Sequence, residues 1–192
     1  MDLDLGPTRF AAVILAGGGA VRLDGADKSS IEHAGRTLLD WSIDALLDAE
    51  EVVVVGEPRP TQRPVTFTLE DPRYGGPVAG LLTGYDALLR RPRTLGVLAV
   101  DMPRVTAHTF RRLHEAARGR DGAFLTDGSG RRQLAGVLDV DRLDAVRPGH
   151  EDQHGMPVHR LLEGLDLALV APVGGESRDV DTWSDLRDLQ EP

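Results

Sequence analysis

The strongest constraint on the fold is a run of glycines that follows an apolar segment near the start of the chain. Residues Ala11–Leu15 are all apolar, and the three consecutive glycines Gly17–Gly19 come soon after them. A short apolar run of this kind predicts a buried strand. Because glycine has no side chain, the backbone after that strand can turn tightly and bring its N–H groups against a phosphate chain.

Two basic residues, Arg22 and Lys28, follow the glycines. Both are suited to neutralise a triphosphate or a departing pyrophosphate. A plain turn with solvated charges is the alternative, but the glycine triplet together with Arg22 and the pair Asp27-Lys28 favours a nucleotide-binding loop. The run is not a P-loop, because no Gly-Lys-Ser/Thr ends it, and it lacks the Gly-x-Gly-x-x-Gly pattern of dinucleotide-binding folds.

The rest of the chain alternates between strand and helix patterns, which predicts one Rossmann-like three-layer α/β domain over residues 1–192, with 1–9 as a loose leader. A strand pair around the turn Gly128–Arg132 would make the mostly parallel sheet mixed. The predicted strands are Ala11–Leu15, Glu51–Val55, Val65–Leu69, Thr94–Val100, Gly122–Asp127, Leu134–Asp139 and Ala168–Val173. The predicted helices are Thr37–Leu47, Pro77–Leu89, Ala107–Arg118, Val158–Leu162 and Asp181–Leu189.

Composition excludes several function classes. The net charge of -9 argues against a nucleic-acid-binding surface. The absence of cysteine excludes disulfides, thiolate catalysis and cysteine-based zinc sites. No apolar run is long enough for a membrane span, and the first residues lack the pattern of a signal peptide. We therefore expect a soluble cytoplasmic protein.

Three aspartates are the candidate carboxylates of a ligand site. Asp101 follows a very apolar predicted strand, where a carboxylate is well placed to ligate a hard cation such as Mg²⁺. Asp71 lies in a Pro/Gly-rich loop, and its alternative role is a local turn bond. Asp181 stands at the start of the last predicted helix, so it either ligates a metal or caps that helix.

The segment from Leu15 to Lys28, which contains the glycine run, resembles Leu-Ala-Gly-Gly-x-x-x-Arg-Leu/Met-Gly-x-Asp-Lys, the signature loop of the sugar-nucleotide-type nucleotidyltransferases. Within that group, the chain is most similar to the molybdenum cofactor guanylyltransferase (MobA-like) family. A second matching segment runs from Asp71 to the Gly-Pro-x-Ala-Gly ending at Gly80, and a third is Asp-x-Asp-Thr-x-x-Asp-Leu at 179–186. Asp24 stands where many members carry glycine.

The resemblance implies the nucleotide-diphospho-sugar transferase type of fold and a role for each matching residue. Arg22 and Lys28 would be catalytic, and Asp101 and Asp181 would hold Mg²⁺ as the cofactor. The nucleotide-binding residues would be Leu15, Ala16, Gly17, Gly18, Gly19, Lys28, Asp71, Gly80 and Asp101.

The implied reaction is Mg²⁺-dependent transfer of a nucleoside monophosphate from an NTP, with GTP favoured, to a phosphorylated small-molecule acceptor such as molybdopterin. Pyrophosphate would be released. The partners expected are the NTP and the acceptor, with no nucleic acid and no membrane, for a monomer or weak homo-oligomer. Val55-Gly56-Glu57 stands where guanylyltransferases of this branch tend to carry a guanine-reading Asn. Alternatives therefore stay open. The enzyme could use CTP or act on another phospho-acceptor, or the chain could be a catalytically idle or regulatory nucleotide-binding module.

Overall fold

The computed structural model describes residues 10–17 and 27–189. Its strands are β1 (Phe10–Leu15), β2 (Glu32–His33), β3 (Arg36–Thr37), β4 (Glu51–Val55), β5 (Thr66–Thr68), β6 (Thr94–Ala99), β7 (Gly122–Thr126), β8 (Arg132–Asp139) and β9 (Leu167–Val170). Its α-helices are α1 (Leu38–Ala45), α2 (Pro77–Asp86), α3 (Ala107–Ala116), α4 (Val140–Val146), α5 (Val158–Leu161) and α6 (Trp183–Asp188). Short 3-10 helices cover Lys28–Ser30 and His150–Gln153.

Seven strands form one mixed sheet in the order β5-β4-β1-β6-β8-β7-β9. β8 runs antiparallel to both of its neighbours, and the other strand pairs of this sheet are parallel. In the registers of the central strands, Leu15 pairs with Val55 of β4 and with Ala99 of β6. The carboxyl ends of these three strands are therefore level, and the loops that follow them leave the sheet side by side.

Helices cover both faces of the sheet because successive strand residues point to opposite sides. Ile14 belongs to the core that packs beneath α1 and α3, whereas its neighbour Val13 belongs to the core beneath α2, α4 and α5. Both side chains are fully buried. This is the arrangement expected for a strand buried on both faces.

Helix α2 lies directly on β1 and β4 because glycines face the sheet. A Cβ built at Gly84 would lie 2.5 Å from Cγ1 of Val13, and one built at Gly80 would lie 3.3 Å from Cδ2 of Leu15. The helix begins at Pro77, whose missing N–H costs nothing in the first turn. The start of α2 is thereby held above the carboxyl end of β1.

The structure confirms the predicted fold class, including the strand pair that makes the sheet mixed. The last helix is shorter than predicted, since it begins at Trp183 rather than Asp181. The prediction also missed α4 and the small antiparallel pair β2–β3. Among the described residues, no helix has the length and apolarity that crossing a membrane requires.

Candidate functional site

The candidate site lies where the direction of strand order changes. From β1 the chain adds β4 and β5 on one side, and then crosses to add β6 on the other side of β1. Ligands of open α/β sheets bind beyond the carboxyl ends of the strands at such a point. There, the N–H of Ala16 donates to the carbonyl of Val55 over 3.0 Å, and the N–H of Val100 donates to the carbonyl of Leu15 over 3.1 Å.

Lys28 connects two of the predicted carboxylates. Its Nζ donates to Oδ2 of Asp101 over 2.8 Å and to Oδ1 of Asp181 over 2.6 Å. The Lys28 side chain is 18% exposed, compared with 23% for Asp101 and 44% for Asp181. The structure therefore brings together three of the residues that the sequence singled out, with the ammonium group between the two carboxylates.

The backbone around Asp101 explains why Asp181 lies beside it. Asp101 lies two residues after the end of β6, in a turn closed by a hydrogen bond from Met102 N to Ala99 O over 3.3 Å. Its own carbonyl accepts a 2.8 Å hydrogen bond from the N–H of Val180, a fully buried residue of the apolar core. This bond fixes the C-terminal segment against the end of β6 and places Asp181 beside Asp101.

The helix-capping role that was the alternative for Asp181 is wrong. The residue that caps α6 is Thr182, whose side chain accepts a hydrogen bond from the N–H of Asp185. Asp185 in turn accepts from the N–H and hydroxyl of Thr182, which completes a capping box. The Asp181 carboxylate is directed instead to Lys28.

The charges at this site affect one another. Burial lowers the pKa of Lys28, but the hydrogen bonds and charges of Asp101 and Asp181 outweigh it, so the pKa lies above its ordinary value of 10.5. Lys28 is therefore protonated at neutral pH. Burial raises the pKa of Asp179, and the nearby carboxylates of Asp181 and Asp101 raise it further.

The donor set of Asp101 and Asp181 fits a hard divalent cation. Both carboxylates reach a single positively charged atom, so their oxygens already converge on one point. In the described part of the chain, no group of three or more His, Asp or Glu side chains could hold a metal by itself. Mg²⁺ often takes only one or two carboxylates and completes its shell with phosphate oxygens and water. The two aspartates match that requirement.

Two further predicted nucleotide-binding residues, Asp71 and Gly80, lie in the loop before α2 and in α2 itself. Asp71 is held through its backbone, since its N–H and carbonyl both bond Oγ1 of Thr83 over 3.1 Å, while its carboxylate is 77% exposed. Nε2 of His150 lies 3.6 Å from Oδ2 of that carboxylate. Gly80 is buried and allows α2 to pack against Leu15 and Glu70. Their nucleotide contacts stay predictions.

The glycine segment is only partly described. Leu15, Ala16 and Gly17 lie at the end of β1, and Gly17 is exposed beside the carbonyl of Val55. The other predicted residues of this loop, Gly18, Gly19 and Arg22, lie outside the described residues.

Sequence reasoning missed the contact of Arg59 and did not use the fact that the chain has a single lysine. Arg59, in the loop after β4, forms an ion pair with Asp27, the residue before Lys28. The signal is in the composition: Lys28 is the single lysine of the chain, and the remaining basic residues are all arginines.

Comparisons with known proteins place the chain in a family. The profile of the MobA-like NTP transferase domain matches residues 12–169. A probable molybdenum cofactor guanylyltransferase of Opitutus terrae is 33% identical over 139 residues, which is 70% of this chain and 68% of that protein. The molybdenum cofactor guanylyltransferase of Acidiphilium cryptum is 38% identical over 102 residues, and the match spans only 52% of its length.

Solved structures share the fold at lower sequence identity. A nucleotidyl transferase from Methanothermobacter thermautotroptrophicus has a TM-score of 0.77 and 21% identity, covering 96% of this chain and 97% of that one. The molybdopterin-guanine dinucleotide biosynthesis protein A from Archaeoglobus fulgidus has a TM-score of 0.69 and 17% identity, covering 94% and 97%. The family profile covers most of the chain, and the fold agrees with it. The chain is therefore a nucleotidyltransferase of the MobA-like NTP transferase family.

Proposed function

We propose that the chain transfers a nucleoside monophosphate from an NTP, with GTP favoured, to a phosphorylated acceptor of the molybdopterin type. Pyrophosphate is the second product. The observation that carries the proposal is the Lys28 ammonium group, held between Asp101 and Asp181 at the switch point of the sheet. The names of the relatives from Opitutus terrae and Acidiphilium cryptum support guanylyl transfer. A cytoplasmic location and a monomer or weak homo-oligomer stay predictions.

The acceptor phosphate needs no general base, because its oxygen is already negatively charged at neutral pH. This oxygen forms a bond to the α-phosphorus of the NTP while the bond from the α-phosphorus to the bridging oxygen breaks. The electron pair leaves with pyrophosphate. Such a reaction depends on positioning and on charge neutralisation.

Lys28 is the residue best suited to stabilise the charge that develops at the α-phosphate. The raised pKa keeps its amine protonated, and its restricted exposure means that little water competes for the ammonium group. In the proposal, Gly17–Gly19 and Arg22 hold the β- and γ-phosphates, as the resemblance implies. Asp101 and Asp181 would hold a divalent cation, with Mg²⁺ the expected ion, and such a cation would supply positive charge beside the phosphate oxygens.

The residues that would recognise the guanine base of the NTP are a separate question from those that hold its phosphates. The family's Asn position falls at the end of β4, where a Cβ on Gly56 would lie 3.1 Å from Cβ of Ala16. A side chain at Gly56 would therefore need Ala16 to shift by a few tenths of an ångström. This close approach gives a packing reason for glycine at position 56, and the preference for GTP rests on the family alone.

The test compares binding and turnover with all four NTPs. Titration calorimetry measures NTP affinity, and a coupled assay measures pyrophosphate release with molybdopterin present or absent. Release that requires molybdopterin and is fastest with GTP supports the proposal. Tight NTP binding without release would show an idle or regulatory module, and release fastest with CTP would reassign the base.

A further inference from the structure

A contact outside the proposed catalytic set holds the segment that carries Lys28. Arg59, in the loop after β4, donates from Nη2 to Oδ2 of Asp27, and its side chain is only 19% exposed. Asp27 directly precedes Lys28 and caps its short 3-10 helix. The loop after β4 is thus tied by a charge-assisted hydrogen bond to the turn that presents the lysine.

Both carboxylate oxygens of Asp27 are used in this arrangement. Oδ2 faces Arg59, while Oδ1 accepts from the N–H of Ser29 over 2.9 Å and from its hydroxyl over 2.7 Å. The carbonyl of Asp27 also accepts from the N–H of Ser30 over 3.0 Å. These bonds fix the backbone on both sides of Lys28, so the direction of its side chain depends on the orientation of Asp27.

The ion pair also affects the charge balance around the lysine. Lys28 already faces the carboxylates of Asp101 and Asp181. Without Arg59, the carboxylate of Asp27 would be a further negative group on the same turn, without its basic partner. It would compete for the ammonium group and repel a triphosphate, because like charges at short range are unfavourable.

We propose that Arg59 is a positioning residue for Lys28, acting through Asp27. This inference rests on the proposed function, because it assigns Arg59 a part in nucleotidyl transfer. Arg59 holds the Asp27 turn in the orientation that directs the ammonium group to the reacting phosphate. It acts from the loop after β4, a segment with no predicted catalytic residue.

The chain offers a matched control in the same region. Arg63 lies four positions further on and donates from Nη1 to the carbonyl of Ile43 over 3.0 Å. Its contact ties the chain to the end of α1 rather than to the Lys28 turn. Arg59→Ala and Arg63→Ala therefore remove the same side chain from neighbouring positions, and both also lose one hydrogen bond to a neighbouring segment.

The kinetic arm measures kcat and KM for the NTP. Because misplacing a catalytic group by about 1 Å can cost roughly 10²-fold, we expect Arg59→Ala to lower kcat by about 10- to 100-fold and to change KM much less. Arg59→Lys should recover part of the loss, and Arg63→Ala should keep the kcat of the unmodified chain. Equal kcat in Arg59→Ala and the unmodified chain would overturn the proposal.

A double-mutant cycle tests whether the effect passes through Asp27. Asp27→Asn keeps the size of the side chain but removes its charge. If Arg59 acts through Asp27, the double variant loses no more kcat than the larger of the two single losses. Losses that multiply would show two independent roles and contradict the mechanism. Asp27→Asn also keeps the test available if Arg59→Ala does not fold.

A second readout does not depend on activity. Because Lys28 is the single lysine, protein grown with lysine labelled with ¹³C at Cε gives one side-chain signal for the whole chain. We expect Arg59→Ala and Asp27→Asn to shift or broaden this signal and Arg63→Ala to leave it unchanged. An unchanged signal in both test variants would overturn the proposal, even if the chain proves inactive. A shifted signal in an inactive chain would keep the positioning role and reject the proposed function instead.

Discussion

The side chain of Lys28 donates a 2.6 Å hydrogen bond to Asp181, a residue 153 positions further along the chain. The same ammonium group donates to Asp101, which follows the central strand β6. Residues from the start, the middle and the end of the chain therefore meet at one charged group. The proposed catalysis depends on this meeting point.

Removing the amine of Lys28 should abolish most of the turnover. Loss of one preorganised contact to a transition state costs about 10²–10³-fold, so Lys28→Ala should slow pyrophosphate release by roughly 10²-fold or more. Lys28→Arg keeps the positive charge but changes its shape, and should remain well below the unmodified chain. Stopped assays of pyrophosphate release measure both variants. Unchanged turnover in Lys28→Ala would remove the lysine from the mechanism.

Asp101→Asn tests the metal-binding role. The amide preserves the size of the side chain, so the free energy of unfolding should change little, whereas metal-dependent transfer should fall sharply. Mn²⁺ should restore part of the activity, because it binds oxygen ligands more strongly than Mg²⁺. Asp48→Asn is the control, since that exposed carboxylate pairs with Arg111 away from the site. Full activity of Asp101→Asn at low Mg²⁺ would refute the assignment.

Asp181 and Thr182 are adjacent, but the structure separates their roles. Thr182→Ala removes the cap of α6 and should lower the free energy of unfolding by about 1 kcal/mol. Asp181→Asn leaves the cap in place and should mainly lower transfer activity. Chemical denaturation and the pyrophosphate assay, run on both variants, give the comparison. If Asp181→Asn lost the stability and kept the activity, its assignment to the site would be wrong.

Glu176 anchors the segment that leads to Asp181, and its contribution to stability should depend on pH. Burial raises the pKa of Glu176, but hydrogen bonds from Thr109, the N–H of Val173 and the guanidinium of Arg112 outweigh it. The pKa in the folded chain therefore lies below the ordinary value of 4.5. A carboxyl whose pKa is lowered by folding stabilises the fold at pH values above its pKa in the unfolded chain. That stability is lost as the pH falls through its pKa in the folded chain.

The corresponding variant is Glu176→Gln. At pH 7 it should be less stable than the unmodified chain by about 1–3 kcal/mol, the range for a broken buried hydrogen-bond network. The difference should shrink as the pH falls below about 4.5, because the carboxyl gains a proton first in the unfolded chain and, at lower pH, in the folded chain as well. Urea unfolding at pH 7, 5 and 3.5 follows the trend. A difference that grew toward acid would contradict the assigned contacts.

The central sheet was predictable because its strands are continuous apolar runs. Glu51–Val55 carries four valines in a row, and the structure gives β4 the same bounds. The pair β2–β3 was missed because two-residue strands have no period to detect, and their turn depends on the left-handed backbone of Ala34 and Gly35. Helix α4 was missed because it starts immediately after β8, where the Asp139 carboxylate accepts from the N–H of Arg142.

The members of the candidate site were predictable one at a time, but their contacts were not. Local motifs marked Lys28, Asp101 and Asp181, whereas their meeting depends on strand order and on the bond from Val180 to the Asp101 carbonyl. Thr182 caps α6 because this six-residue helix begins at Trp183, and the sequence pattern predicted that start two residues too early. Arg59 was missed because only the folded loop after β4 brings it to Asp27.

The most direct test of the proposed function follows the α- and γ-phosphates of GTP separately. The purified chain is incubated with molybdopterin and Mg²⁺ and with GTP labelled with ³²P at either the α- or the γ-phosphate. We predict that the α-label appears in a dinucleotide containing the acceptor and that the γ-label appears in pyrophosphate. Asp101→Asn should form far less of both products at the same Mg²⁺ concentration. An α-label that never joins the acceptor, or a γ-label released as inorganic phosphate, would contradict guanylyl transfer to molybdopterin by this chain.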